Sequence, residues 1–183
     1  MSSDFVSVSF GLPGESTAFL AGDWTGTKLR VYRARVFETG DNDGKDRITH
    51  SRFVKDFLKK EMSDLMERSD ALYLVVDATR SGVIVGDLIA KIGYQAPTLI
   101  ITDDAVASVT DGGVQLVPER DLRAIIQIAN ENDKLNVQNS DSELSSLREK
   151  AQTGDSSDAL WSAFAAMCWQ ARKVGVKNGF DLL

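Results

Sequence analysis

A single cysteine and a single histidine occur in 183 residues. With Cys168 alone, an internal disulfide and a cysteine-based zinc centre are excluded, and a reducing compartment is expected. With His50 alone, His-rich metal sites and any mechanism needing two imidazoles are excluded. No run of about 18 apolar residues exists, so neither a transmembrane span nor a membrane partner is expected. Residues 1–8 lack a basic segment followed by an apolar core, so a signal peptide is not expected, and the expected location is cytoplasmic. Positive charge is the scarcer sign: 21 Lys and Arg against 27 Asp and Glu give a net charge of -6. That argues against a polybasic nucleic-acid binder, but not against chemistry at a metal site, which gathers acidic residues locally. Repeats and low-complexity segments are absent. What remains, 43% hydrophobic and 26% charged, is ordinary for a globular protein, and the length suits one domain with a sizeable core.

The most informative stretch is Ala71 to Gly82, ALYLVVDATRSG. Its apolar run has the composition of a buried strand that delivers Asp77 to its end, followed by a turn into a helix. Such an aspartate can cap a helix, sit in a solvated loop, or ligate a metal. Upstream, residues 1–16 read as an arm or a weak first strand, with Pro13-Gly14 as a turn. Thr17 to Ala21 is a short strand ending in Asp23, bracketed by Gly22 and Gly26, which permit a tight turn or a close approach. Lys28 to Glu38 is its hairpin partner. It carries Lys28, Arg30, Arg33 and Arg35, which a bulge near Tyr32 would bring to one face, as a solvated face or a phosphate-contacting strip. Thr39 to Asp46 reads as a flexible loop, since it lacks the final Glu of a calcium loop. Arg47 to Phe53 reads as a third strand, and Val54 to Ser69 has helical spacing.

Downstream, a helix from Val83 to Ile92 precedes a buried strand, Thr98 to Thr102, which ends at Asp103 and Asp104. These two are candidates to extend an acidic cluster. Val114 to Val117 is a short strand, and Pro118 starts a helix with acids in its first turn. Ser140 to Gln152 reads as a helix with a capping box from Ser140 to Glu143. Asp158 to Lys173 is an apolar helix to be buried on the sheet. The expected class is α/β: a mixed sheet that begins as an antiparallel three-strand meander, continues with parallel strands and is flanked by helices.

Several segments, in order, resemble the nuclease domain of phage large terminases. They are Ala21-Gly22-Asp23-Trp24-Thr25-Gly26, Val76-Asp77-Ala78-Thr79-x-x-Gly82, Val117-Pro118-Glu119-Arg120-Asp121-Leu122, and Ser157-Asp158-Ala159-Leu160 followed by Ala163, Ala165 and Trp169. The resemblance runs from about residue 17 to 172. It implies a ribonuclease H-like fold over residues 17–175, with an arm at 1–16 and a tail at 176–183. It implies a metal-dependent endonuclease acting on double-stranded DNA. The implied catalytic carboxylates and metal ligands are Asp23, Asp77 and Asp158, with Asp155, Asp103 and Asp104 as accessory candidates. They would hold two Mg2+ or Mn2+ ions about 4 Å apart, one activating water and one stabilising the leaving oxygen. DNA contacts are expected at Lys28, Arg30, Arg80 and Arg120. A separate packaging ATPase or portal is the implied partner, in a host cytoplasm if the chain is phage-encoded.

The departures from the pattern are specific. Arg80 stands where the family has a glycine after the threonine, and Glu119 stands where it has a lysine. Ser157-Asp158-Ala159 replaces a His-Asp-Asp element, so its His and second Asp are missing. No G-x-x-x-x-G-K-[ST] segment is present, so no ATP-binding P-loop is expected. Three readings therefore stay open: a two-metal endonuclease, a catalytically degenerate domain of the same fold used for binding or assembly, and a nucleoside deoxyribosyltransferase-like enzyme with Asp87 as the only placed nucleophile.

Overall fold

Val6, Val8 and Phe10 alternate with Ser7 and Ser9, the two-residue period of a strand. In the computed structural model, which describes residues 3–25, 27–41, 47–82, 84–178 and 182, this segment is β1 (Ser3–Ser9). It is a strand rather than an arm. It lies inside the sheet, antiparallel to β2 (Ser16–Thr25) and parallel to β5 (Ala71–Asp77). The antiparallel meander is thus β1, β2 and β3 (Lys28–Thr39). The expected third strand at residues 47–53 is only β4 (Arg47–Ile48), parallel to β3. Thr49 ends it by capping a helix, accepting from the Arg52 N–H at 3.2 Å. On the other side of β5 come β6 (Thr98–Thr102), β8 (Gln115–Pro118) and β7 (Ser108–Val109), giving the order β4-β3-β2-β1-β5-β6-β8-β7. A short β9 (Leu135–Val137) pairs parallel with the start of β3. Gly26 and the 42–46 part of the polar loop lie outside the described residues.

The bulge is where the sequence suggested. Ala21 pairs with Arg33 and Gly22 with Val31, so Tyr32 is the extra residue of β3. The bulge resets the side-chain alternation, so that Leu29, Val31 and Ala34 all enter the same core.

Two cores sandwich the sheet. On one face, α1 (His50–Arg52), a π-helical segment (Phe53–Leu58) and α2 (Lys59–Met66) form one continuous helix. With α3 (Ile84–Lys91) it covers Val6, Val8, Phe19, Leu74 and Val76. Phe37, Phe53 and Phe57 interlock there, with ring centres 4.8–5.4 Å apart. On the other face lie α4 (Glu119–Glu131), α5 (Ser142–Thr153) and α6 (Ala159–Asn178). From Ala159 to Trp169 every α6 residue is buried, as expected for a helix apolar on all sides. Its alanines let it sit close to β1, β2 and β5. Burial there pushes the Cys168 thiol up, so it is not a reactive thiolate. Among the described residues no helix is long and apolar enough to cross a membrane.

Candidate active site

The centre of the site is the register between β1 and β5, which sets Ser9 directly beside Asp77. Both follow the alternation that points Phe5 and Val75 into the α6-side core, so both face α6. Asp77 is fully buried. Ser9 Oγ donates to its Oδ2 at 2.6 Å, and the Thr79 N–H (3.0 Å) and Thr79 hydroxyl donate to Oδ1. Thr79 Oγ1 in turn accepts from the Ile101 N–H at 2.8 Å, fixing the turn to β6. Burial pushes the Asp77 carboxyl above the usual range, opposed by Ser9, Thr79 and Arg80.

After Thr79 the chain turns. The Gly82 N–H bonds the Ala78 carbonyl at 2.9 Å, and Gly82 takes φ 69°, a left-handed value that glycine adopts without strain. This turn aims Arg80 back over the strand ends. Its Nη2 donates to Ser9 Oγ at 3.0 Å and its Nη1 to the Ser157 carbonyl at 3.0 Å. Its Nε lies 3.9 Å from Glu15, in a side chain only 14% exposed. One guanidinium therefore links the ends of β1 and β5 to the start of α6.

Asp158 caps α6, its Oδ1 accepting from the N–H groups of Leu160 (2.9 Å) and Trp161 (3.0 Å). Its other oxygen is held by Lys150 of α5. Burial acts to raise its pKa, but Lys150 and the two N–H groups together outweigh burial and hold the carboxyl below the usual range. Asp155 accepts from Ser157 N (2.9 Å) and Oγ (2.5 Å), closing the loop before α6. Glu119, at the position of the family's lysine, clamps the same loop from α4. It takes the Ser156 N–H at 3.3 Å and both Nε and Nη2 of Arg123. The helix expected to begin with a Ser140 capping box instead has Asp141 as its cap, accepting from the Leu144 N–H at 2.9 Å.

The remaining candidates lie elsewhere. Asp23 pairs in register with Asp4, five residues along β1 from Ser9, which is about 16 Å of strand. It also shares the side-chain parity of Phe19 and Ala21, on the sheet face away from α6. Asp23 thus meets neither Asp77 nor Asp158. It forms a two-pronged ion pair with Arg30. Lys28 bonds Asp133 at 2.5 Å, Arg33 pairs with Glu61, and Arg35 lies 3.5 Å from Asp141. The four β3 cations are engaged within the molecule rather than forming a free strip. Arg120 is exposed and donates to the Ala105 carbonyl. Asp103 and Asp104 are exposed beyond the end of β6.

Sequence reasoning passed over Ser9, Glu15 and Lys150. Only Ser9 had a local signal, the alternating run that ends at it. A cleft of about 560 Å3 opens over the network, lined by Glu15, Arg80, Glu143, Lys150, Ser157 and Asp158 among others. Its two cations face three carboxylates, so it offers no excess positive charge to an anion. The donor set does not fit a pair of hard divalent ions. Asp77 has both oxygens engaged, its register neighbour is a neutral hydroxyl, Asp158 is committed to a helix cap and a lysine, and a guanidinium lies between them. Among the described residues no group of three His, Cys, Asp or Glu side chains is placed to hold a metal.

No protein-family model and no curated protein matches the chain. Solved structures do match. The large terminase of a thermophilic bacteriophage aligns at TM-score 0.62 and 13% identity over 94% of this chain. This chain spans 40% of that protein's length. The large terminase nuclease of thermophilic phage G20c aligns at TM-score 0.55 and 12% identity, covering 92% of this chain and 82% of that one. A human cytomegalovirus terminase nuclease domain, Mn soaked and inhibitor bound, aligns at TM-score 0.58 and 13% identity, covering 94% and 85%. At these identities the likeness is one of fold: the chain has the ribonuclease H-like fold of terminase nuclease domains.

Proposed function

We propose that this chain is a nuclease-fold domain that has given up metal-dependent cleavage and serves as a binding or assembly module. The observation that carries the reading is the dispersal of the acidic set. Asp23 is at the other end and other face of the sheet, and Ser9 occupies the position beside Asp77. Two metal ions about 4 Å apart need carboxylates that converge on both, and of the three implied catalytic aspartates two, Asp77 and the capped Asp158, lie at the same end.

The relatives in fold are large terminases, and one of them is described in complex with ADP. This chain covers 40% of that protein's length, and its 183 residues hold no P-loop segment. Our reading puts it in a DNA-packaging assembly, with an ATPase or portal as its partner. The deoxyribosyltransferase-like reading loses its nucleophile, because Asp87 is exposed on α3.

The two-metal endonuclease remains the competing reading, supported by the fold and by the Mn-soaked state of the cytomegalovirus domain. In that reading Mg2+ or Mn2+ would be the cofactor and double-stranded DNA the substrate. Plasmid DNA incubated with the purified protein and either ion separates the two. The module reading expects intact supercoiled plasmid. Nicking that EDTA stops and that Asp77→Asn abolishes would overturn it.

A further inference from the structure

We infer that Arg80 is a built-in cation that replaces divalent metal as the element joining the strand ends to α6. The inference rests on the module reading above and gives it a physical cause.

A carboxylate-lined site at the end of a sheet needs a positive charge to hold its parts together. In this molecule that charge comes from the chain itself. The β5–α3 turn delivers the guanidinium from the residue three positions after Asp77, where the resembling family has glycine. Its two Nη groups reach Ser9 on β1 and the Ser157 carbonyl before α6, each at 3.0 Å. Ser9 passes the contact on to Asp77 at 2.6 Å. Glu15, on the turn between β1 and β2, closes the third side at 3.9 Å.

The serine at position 9 and the arginine at position 80 make sense only together. An aspartate at position 9, beside the buried Asp77, would place two carboxylates on adjacent strands and would call for a metal. A serine there can accept from Arg80 and donate to Asp77 at once, so the hydroxyl matches the guanidinium as a carboxylate would match an ion. Lys150 does for Asp158 what Arg80 does for the strand ends. A divalent ion brought to this place would meet two fixed cations.

The test uses the full chain and thermal melting in EDTA, Mg2+ and Mn2+. The unmodified protein should melt at the same temperature in all three. Arg80→Ala should melt roughly 5–10 °C lower in every buffer, because it leaves the buried Ser9 hydroxyl, and Asp77 behind it, without the donor that faces them. The paired change Ser9→Asp with Arg80→Gly should gain a rise in melting temperature with Mn2+ and bind Mn2+ by titration calorimetry, which a merely structural role for Arg80 does not predict.

A Mn2+-dependent rise in the unmodified protein would overturn the inference. So would an Arg80→Ala protein that melts like the parent, or a folded double variant with no response to Mn2+. If the double variant fails to fold, the Arg80→Ala melt decides. Plasmid nicking by the parent overturns the module reading. An unaltered melt of Arg80→Ala without nicking overturns this inference alone.

Discussion

Asp77 was legible because a buried apolar strand that ends in a carboxylate is an uncommon pattern with few readings. Its chemistry was not legible, because that depends on Ser9, sixty-eight residues away and paired by sheet register. The structure makes Asp77 a carboxyl with a raised pKa. A group whose folded value lies above its unfolded one stabilises the fold fully at pH below the ordinary carboxylate value of 3.8. That contribution is lost as pH rises through the raised value. Asp77→Asn cannot titrate, so its stability relative to the parent should improve as pH rises from 3.8 through the raised value and stay level above it. Urea melts at several pH values check the slope, and parallel pH curves would refute the assignment. Asp158 has the opposite sign. Its lowered value means a contribution present above the ordinary value and lost as pH falls through the lowered one. Removing it also removes a helix cap, so Asp158→Ala should cost about 1–2 kcal/mol at neutral pH. Asp158→Asn keeps a capping oxygen and should lose less than half as much. Equal losses in the two variants would mean that Lys150, not the cap, carries the effect.

Elements with local signatures were readable, and those defined by distant pairing were not. α6 could be placed on the sheet from its unbroken run of apolar and small residues, and α4 from Pro118 and its acidic first turn. The capping aspartates Asp141 and Asp158 were both within one residue of the expected helix starts. By contrast, the Ala21 to Gly26 segment drew the first implied carboxylate to β2, although Val6, Val8 and Phe10 already had strand alternation. No local rule says which of two strands lies beside β5. The join between α5 and α6 is a further place where packing overrides local preference. Gly154 ends α5 at φ -67°, which any residue can adopt, but a Cβ there would lie 2.6 Å from Trp161 Cδ1 and 2.8 Å from the Lys150 carbonyl. Trp161 is fully buried and cannot step aside. Gly154→Ala should therefore destabilise by roughly 1–3 kcal/mol through overpacking. Because the same join seats Lys150 and Asp158, the change should also perturb the amide resonances of Leu160 and Trp161 in an NMR spectrum. A variant as stable as the parent would show that α5 and α6 can slide apart freely.

At the scale of the molecule, the charges on β3 and at the strand ends are satisfied internally. The β3 cations pair with Asp23, Asp133, Glu61 and Asp141, and the cations of the site pair with Glu15 and Asp158. A protein of net charge -6 whose β3 and strand-end cations are so engaged offers no free basic strip there to release counterions from a phosphate backbone, so any DNA affinity should be weak and show a shallow salt dependence. The same self-sufficiency holds for the fold, and β1 is its clearest example. Ser3 to Ser9 supplies two ladders, to β2 and to β5. Phe5 goes to one core, Val6 and Val8 to the other, and Ser9 to the site. Deleting residues 1–10, which would be harmless for an arm, would split the sheet between its antiparallel and parallel halves. It would expose the edges of β2 and β5 and leave Arg80 without its strand-end partner. The truncated chain should therefore lose its cooperative thermal transition and partition into the insoluble fraction. A truncated protein that melts cooperatively near the parent's temperature would mean that β2 and β5 can pair without β1, and the site as described could not then be what holds the strand ends together.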